Sequence, residues 1–431
     1  MSKESGPPRD PSVQLNLNVR GLRPSATVAI NERSDALRRE GRRIYKLGLG
    51  QSPFPVPEVV VDALRAAAPE KDYLPVRGLR ALRDAVAAHH GQELGVERNG
   101  DRVLVGPGSK ELMFLLQLVY YGDLVIPAPS WVSYAPQAHI LGRHVRFLGT
   151  RTEDAWRLLP GRLDALCRAD PSRPRLLILN YPSNPTGMSY TDDELAELAE
   201  VARRYGVILL SDEIYGKLHH DGHHRSIVQH YPEGTIFSSG LSKWCGAGGW
   251  RLGVFVFPRQ LTWLQDAMAA VASETYTSVS APIQHAAVTA FTPHPSIDAY
   301  LDGSRRVLKA LGRHLAGRLR AARVRCPDPD GGFYLFADFN ELRERLKRRG
   351  VHTSVELCER ILQDTGVAIL PGADFGRPED ELTARLAYVD FDGTAALNAL
   401  PETDEPDEAW LRAHCSDTVV AVEHIADWAS A

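Results

Sequence analysis

Short apolar runs alternate with helical patterns from about Val60 to Pro258, and this alternation limits the folds that the chain can adopt. The apolar runs lie at 103–105, 123–126, 176–179, 207–210 and 254–257. Short strands separated by helices are typical of a mostly parallel sheet between layers of helices. Because such sheets bind ligands at the carboxyl ends of their strands, we expect functional residues directly after these runs. The sequence therefore predicts an α/β fold with its site at one edge of the sheet.

The segments between the apolar runs carry helix signals. Helical spacing is found at 79–89, 110–121 and 191–204. The last of these segments begins with a capping-box pattern, Thr191 with Glu194, and Gly206 follows its end. Both signals are common at helix termini, so the boundaries of this helix are predicted more firmly than those of the others.

The character of the chain changes after about Ser304. We predict helices at 305–323 and 341–349 and strands at 367–370 and 385–389. The segment 391–407 is rich in prolines and acidic residues and has little periodicity, which indicates a surface loop before a final helix. A chain of 431 residues is long enough for at least two domains. We predict an N-terminal arm with part of a small domain at 1–60, a large domain at 61–304 and a C-terminal small domain at 305–431.

Composition narrows the class of protein. Hydrophobic residues make up 44% of the chain and charged residues 24%, a balance typical of globular proteins. The net charge of −4 argues against a nucleic-acid partner, and no apolar run reaches the roughly 18 residues that a membrane span needs. Residues 1–11 are polar and proline-rich, so we predict a flexible leader and no signal peptide. The five scattered cysteines predict reduced thiols in a cytoplasmic enzyme.

Two pairs of histidines, His219-His220 and His223-His224, flank Asp221-Gly222. Histidines at this density raise the question of a metal site. The segment follows the predicted strand at 207–210, where connecting loops are usually exposed. We therefore predict an exposed loop here and no metal.

Four polar patterns follow the predicted strands or lie in glycine-rich turns. They are Asn184-Pro185-Thr186-Gly187, Ser211-Asp212-Glu213-Ile214-Tyr215, Ser242-Lys243 with Arg251 eight residues later, and Ala384-Arg385-Leu386. Each pattern alone fits a turn, a helix cap or a surface charge. Their occurrence together, in this order and at these places, indicates one chemical site.

In order and spacing these patterns resemble the class I/II aminotransferases, enzymes that depend on pyridoxal 5'-phosphate (PLP) and share fold type I. The resemblance extends from about Asn18 to Ala429 and includes Trp131-Val132-Ser133-Tyr134. It implies a large domain with a mostly parallel central sheet between helices, and a smaller α/β domain. It also implies a homodimer with shared active sites.

The resemblance implies roles for the residues around the PLP ring. Lys243 matches the lysine that forms the imine with PLP and later serves as the general base at the substrate Cα. Asp212 matches the carboxylate that keeps the pyridine nitrogen protonated. Tyr215 and Asn184 match the hydrogen-bond donors to the phenolic oxygen. Trp131 matches the aromatic residue that stacks on the ring.

The resemblance also implies a phosphate pocket. Ser109 and Lys110 lie at the start of a predicted helix, whose backbone N–H groups can bind a dianion. Ser242 and Arg251 match the side chains that complete this pocket. Tyr73 matches a tyrosine that reaches the phosphate from the partner subunit.

Fewer residues match the positions that bind the substrate in this family. Arg385 matches the arginine that binds the α-carboxylate, assisted by Asn184 and the backbone of Gly50. Lys110 matches a lysine that meets a distal carboxylate in one subgroup of aspartate aminotransferases and prephenate-type relatives. Such a role would favour aspartate, glutamate or another dicarboxylate as the amino donor.

Two departures from the family pattern leave the cofactor chemistry intact but leave the substrate open. The stretch 243–249 differs from the commoner Lys-x-x-x-(Met/Leu)-x-Gly, and the acidic loop at 390–407 is longer than in most relatives. The resemblance favours an aminotransferase that moves an amino group between an amino acid and a 2-oxo acid. The alternative is a PLP enzyme for elimination, replacement or cyclisation, for example on S-adenosylmethionine. A non-catalytic PLP module, as in certain transcription regulators, would need a basic DNA-binding domain that this chain lacks.

Overall fold

The computed structural model describes residues 15–22, 24–95, 99–402 and 404–431. The leader predicted at 1–11 lies outside these residues. Among the described residues, no helix combines the length and the apolar character that a membrane crossing requires. The five cysteines are buried and free.

The strands, in chain order, are β1 (Tyr45–Lys46), β2 (Val103–Gly106), β3 (Asp123–Ala128), β4 (Val145–Gly149), β5 (Arg175–Asn180), β6 (Ile208–Asp212), β7 (Thr235–Gly240), β8 (Gly253–Val256), β9 (Tyr334–Asp338), β10 (Val367–Ala368), β11 (Leu370–Pro371) and β12 (Thr383–Ala387).

The α-helices are α1 (Ala26–Arg39), α2 (Glu58–Ala67), α3 (Arg80–Leu94), α4 (Ser109–Val119), α5 (Tyr134–Ile140), α6 (Pro160–Ala169), α7 (Asp192–Arg204), α8 (Thr262–Glu274), α9 (Ala281–Ala290), α10 (Pro295–Ala321), α11 (Arg343–Arg348), α12 (Ser354–Thr365), α13 (Gly393–Asn398), α14 (Glu408–His414) and α15 (Ser416–Ser430).

A seven-stranded sheet in the order β2-β8-β7-β6-β5-β3-β4 forms the centre of the molecule. All neighbouring strands are parallel except β8, which runs antiparallel to both β2 and β7. Strands β2, β6, β7 and β8 are buried along their whole length, which explains why they appear in the sequence as continuous apolar runs. The predicted mostly parallel α/β sheet is confirmed. The predicted capping box at Thr191 and Glu194 is also present at the start of α7.

A second, smaller sheet is antiparallel, in the order β11-β12-β9. The strand predicted at 367–370 is wrong as a single element, because its two ends belong to different sheets. Val367 and Ala368 pair in parallel with β1 from the N-terminal part of the chain, whereas Leu370 and Pro371 pair with β12. Helix α10 runs continuously across residues 304 and 305. The domain boundaries at 60/61 and 304/305 stay predictions.

The loop predicted at 391–407 contains a short helix, α13. The side chain of Asp392 accepts hydrogen bonds from the backbone N–H groups of Thr394 and Ala395, and so caps this helix. Ala396 is fully buried. Six residues are too few to produce a visible helical period, which explains why the prediction missed this element.

The histidine segment is less exposed than predicted. His220 is buried, and its ring nitrogens lie within hydrogen-bond distance of the carbonyl oxygens of Pro329 and Gly332. His224 lies 2.7 Å from the carboxylate of Glu213. Within the segment 219–224, the exposed residues are Asp221, Gly222 and His223. The sequence did not reveal the partners of His220 because Pro329 and Gly332 are distant from it along the chain.

Candidate active site

A cavity of about 340 Å³ opens at the carboxyl ends of β5, β6 and β7. Its lining includes every residue predicted for the site except Tyr73. These predicted residues are Gly50, Ser109, Lys110, Trp131, Asn184, Asp212, Tyr215, Ser242, Lys243, Arg251 and Arg385. The cavity lies where parallel α/β sheets bind their ligands.

Asp212 ends β6 and is 3% exposed. The hydroxyl of Tyr134 donates to its Oδ2 at 2.5 Å, and the hydroxyl of Ser238 donates to its Oδ1 at 3.4 Å. Burial raises the pKa of Asp212 to about 6, although the hydrogen bond from Tyr134 lowers it. A buried carboxylate with few compensating charges favours a cation beside it, such as a protonated pyridine nitrogen.

Tyr215 and Asn184 lie on the other side of the cavity. The hydroxyl groups of Tyr215 and Tyr334 are 2.9 Å apart, and burial raises the pKa of Tyr215 well above its usual range. Asn184 is held in place by its backbone N–H, which donates to the side chain of Asn180 at 2.7 Å. The side chain of Asn180 in turn donates to the carbonyl oxygen of Asp212 at 2.8 Å. The donors on this side are therefore fixed relative to β6.

Lys243 follows β7, and its Nζ donates to the carbonyl oxygen of Gly50 at 2.8 Å. The same nitrogen lies 5.6 Å from the centroid of the Tyr215 ring. Gly50 tolerates no side chain, because a Cβ atom built there would lie 1.8 Å from the hydroxyl oxygen of Tyr334. The backbone at Gly50 can approach closely because it carries no side chain. This explains how the carbonyl oxygen of Gly50 reaches Lys243, although the two residues are distant in sequence.

Three cationic side chains, Lys110, Lys243 and Arg251, line one cavity, and none of them forms an ion pair with a described residue. Partial burial lowers the pKa of Lys110, and repulsion from Arg251 and Lys243 lowers it further. Gly108, at φ +88°, lies so close to Arg251 that an added Cβ would be 2.3 Å from Nη2 of that arginine. Ser109 and Lys110, the first residues of α4, line the same cavity, so the free N–H groups of this helix start are close to these cations. The donor set fits the phosphate group of PLP.

Arg385 lies on β12 and is fully buried. One of its terminal nitrogens donates to Asn184 Oδ1 at 3.0 Å, and the other donates to the carbonyl oxygen of Gly48. Its Nε has no partner among the described residues. Burial lowers the pKa of Arg385 although Tyr334, Tyr215 and Asp374 raise it, and no described carboxylate forms an ion pair with its guanidinium. A bound carboxylate would supply that charge.

Tyr73 lies outside the cavity, and 93% of its surface is exposed in the single chain. This placement agrees with a residue that acts on another subunit. It does not test the role that the resemblance implies for Tyr73.

The sequence analysis did not identify six further residues of the cavity lining. They are Thr27, Leu49, Tyr134, Asn180, Ile214 and Tyr334. Tyr134 and Ile214 lie within motifs that the sequence analysis quoted, and Asn180 directly follows a predicted strand. Thr27 belongs to the N-terminal helix α1, and no sequence signal connects it with this site.

Comparison with known proteins places the site in a family. A model of the family described as aminotransferase class I and II matches residues 42–388. Aspartate aminotransferase of Geobacillus stearothermophilus is 32% identical over 386 residues, which cover 87% of this chain and 94% of that protein. Aspartate/prephenate aminotransferase of Thermus thermophilus is also 32% identical and covers 84% of this chain and 91% of its own length.

Solved structures agree with these relatives. Aspartate aminotransferase from Thermus thermophilus with maleate superposes with a TM-score of 0.82 at 29% identity, covering 96% of this chain and 99% of that one. The relatives support transamination rather than elimination, replacement or cyclisation, and they confirm the predicted fold and cofactor. The chain therefore belongs to the class I and II aminotransferases, which are PLP-dependent transferases of fold type I.

Proposed function

We propose that this aminotransferase takes a dicarboxylic amino acid, such as aspartate or glutamate, as its amino donor. The observation that carries the proposal is the presence of two cations of different exposure in one cavity. Arg385 is fully buried, whereas Lys110 is exposed and its Nζ lies 5.0 Å from the centroid of the Trp131 ring. Arg385 binds the α-carboxylate, and Lys110 binds the distal one. The aspartate-specific names of several relatives agree with this choice.

The other predicted residues have roles on the cofactor in this proposal. PLP, when bound, withdraws electrons from the substrate Cα through its protonated ring. Lys243 holds PLP covalently and then, as a free amine, moves the proton at Cα. Asp212 holds a proton at the ring nitrogen, and Tyr215 and Asn184 donate to the phenolic oxygen. Trp131 packs on the ring face.

The phosphate of PLP is bound by a separate group of residues in this proposal. Ser109, Ser242 and Arg251 donate to its oxygens, and the N–H groups at the start of α4 add further donors. Arg251 adopts the left-handed conformation, with φ +55°. A non-glycine residue in this region costs free energy, and such residues concentrate at functional sites. The backbone at Arg251 is therefore held in the conformation that aims its guanidinium at the pocket.

Replacing Lys110 with alanine should raise KM for aspartate and glutamate far more than KM for alanine. The reason is that a neutral donor has no distal carboxylate for this lysine to bind. Loss of a charge-assisted hydrogen bond corresponds to about tenfold or more in affinity. Steady-state kinetics with each donor and one neutral 2-oxo acid as acceptor, such as 2-oxobutanoate, measures the difference, because this acceptor is not the product of any of the three donors and has no distal carboxylate.

A matched control for this experiment is Lys347→Ala, which removes an exposed lysine of α11 outside the cavity. It should leave both classes of substrate unaffected. Equal losses for dicarboxylic and neutral donors in Lys110→Ala would contradict the proposed contact. Failure of the wild-type enzyme to use any dicarboxylic donor would contradict the proposed substrate class.

We also infer a homodimer in which Tyr73 completes the phosphate pocket of the neighbouring subunit. The inference rests on the full exposure of Tyr73 in one chain and on the family resemblance of its segment. A tyrosine that served its own subunit would be expected in the cavity lining, where Tyr134, Tyr215 and Tyr334 are found.

Mixing two inactive variants tests this arrangement. Subunits with Lys243→Ala and subunits with Tyr73→Ala should each have little activity alone. A hybrid dimer pairs an intact Lys243 in one subunit with an intact Tyr73 in the other, so activity should appear after dissociation and reassociation. The control mixes Lys243→Ala with Tyr121→Ala, which removes a tyrosine that is 89% exposed and outside the cavity. An active monomer in analytical ultracentrifugation, or no recovery in the hybrid, would rule out the shared site.

A further inference from the structure

A second cavity, of about 210 Å³, shares no lining residue with the active site but is built from the same strands. At the end of β6, Asp212 faces the active site and the next residue, Glu213, lines the second cavity. On β7, Ser238 donates to Asp212, whereas Ser239 lines the second cavity. Successive residues of a strand point to opposite faces of a sheet. The two cavities therefore lie on opposite faces of the central sheet.

The acidic groups of the second cavity already have partners. Glu213 accepts hydrogen bonds from the hydroxyls of Ser211 at 2.6 Å and Ser226 at 2.5 Å, and His224 lies 2.7 Å from its other oxygen. Glu93 bonds to Lys217 and lies 3.0 Å from a ring nitrogen of His90. Neither carboxylate has much capacity left for a bound cation.

The hydrogen-bond donors of the cavity have capacity left. Arg305 of α10 uses only its Nε, which donates to the carbonyl oxygen of Lys217 at 2.7 Å. Its terminal nitrogens and the whole guanidinium of Arg225 have no hydrogen-bond or ion-pair partner in the described part of the chain. Ser239 is 3% exposed, and its hydroxyl likewise bonds to no described residue. Because Ser239 lines the cavity, this hydroxyl is available to donate to an acceptor atom bound there.

Burial lowers the pKa of Arg305, which indicates that this guanidinium lacks full compensation by the acidic residues nearest to it. Guanidinium groups bind carboxylates and phosphates through parallel N–H donors. A ligand for this cavity must therefore bring acceptor atoms and negative charge, and it must be small enough for the space.

We propose that the second cavity is a binding site for a small oxyanion, a carboxylate or a phosphate, held by Arg305, Arg225 and Ser239. The anion would connect α10 to the loop at 216–225, which directly follows the active-site residue Tyr215. Gly216 and Lys217 of that loop line the second cavity, so its occupant contacts the segment that carries Asp212 and Tyr215.

Calorimetric titration of the PLP-loaded enzyme with inorganic phosphate, and separately with succinate, tests the site. PLP fills the phosphate pocket of the active site, so that pocket does not contribute. Arg305→Gln should weaken binding of the preferred anion by about tenfold or more. Arg313→Gln, an exposed arginine of the same helix that lies outside the cavity, should bind like wild type. If Arg305→Gln weakens the binding of phosphate, the anion is a phosphate; if it weakens the binding of succinate, the anion is a carboxylate.

Two further measurements keep the outcome clear. Ser239→Ala should also weaken binding of the preferred anion. Binding of the same anion at Arg385 in the active site would be unaffected by Arg305→Gln and by Ser239→Ala. If Arg305→Gln does not fold, Arg225→Gln at an exposed position provides the same comparison. Equal affinity of both anions for wild type and for the cavity variants, or no measurable binding to wild type, would overturn the proposal.

Discussion

Replacing Lys243 with alanine is expected to abolish transamination and the covalent attachment of PLP. The side chain of Lys243 enters the cavity and is the one lysine there whose Nζ approaches both Gly50 and the Tyr215 ring among the described residues. General base catalysis alone contributes about 10²- to 10⁴-fold, and the covalent link adds to this. We therefore expect a loss of more than about 10⁴-fold in kcat.

Borohydride reduction followed by peptide mapping checks the assignment directly. The wild-type enzyme should carry PLP on the peptide that contains Lys243, and the Lys243→Ala variant should carry none. Lys110, which lines the same cavity, is an internal control, because Lys110→Ala should keep the label at Lys243. A label on any other lysine of the wild-type enzyme would show that the assignment is incorrect.

Five of the seven strands of the central sheet could be predicted because they are short, apolar and largely buried, whereas the more exposed β4 and the partly polar β7 were not predicted. Runs such as 176–179 and 207–210 need no knowledge of their partners to be identified as strands. The polar residues after them, Asn184 and Asp212, then had to meet, since parallel strands end at one edge of the sheet. The chemistry of the site was implied by the family resemblance, which the order of Asp212, Lys243 and Arg251 along the chain helped to carry.

Some of the residues that the prediction missed reach the site from elements outside the central sheet. Tyr134 begins α5, and only the packing of that helix places its hydroxyl against Asp212. Thr27 comes from α1, which is separated from the sheet by a long stretch of chain. Contacts of this kind depend on tertiary packing, and no local period or spacing in the sequence encodes them.

The prediction of short elements failed for a different reason. The strand predicted at 367–370 consists of two pairs of residues that face different partners, β1 and β12. Two residues cannot display a period of two, so their division between sheets was invisible in the sequence. The helix α10 starts ten residues earlier than predicted because Pro295 occupies its first turn, where the missing N–H costs nothing.

Replacing Asp212 with asparagine is expected to lower kcat by at least about 10²- to 10³-fold, the loss seen when a preorganised electrostatic partner of the reacting groups is removed. Asparagine is close to aspartate in shape and can still accept the hydrogen bond that Tyr134 donates. It carries no negative charge, however, so it cannot hold a proton at the ring nitrogen. The residues proposed to bind the phosphate, Ser109, Ser242 and Arg251, are unchanged, so PLP should still bind.

Measuring kcat together with the bound PLP per subunit separates these effects. A variant that retains PLP but loses turnover supports an electrostatic role for Asp212, whereas loss of PLP would indicate a structural one. Asp62→Asn, on the exposed surface of α2, is the matched control and should behave like wild type. Burial raises the pKa of Asp212 to about 6 when no cation lies beside it. A positive partner at this position therefore stabilises the charged form of the carboxylate. An Asp212→Asn enzyme within about tenfold of wild-type kcat would contradict this role, because a charge that matters to the electron sink contributes far more than that.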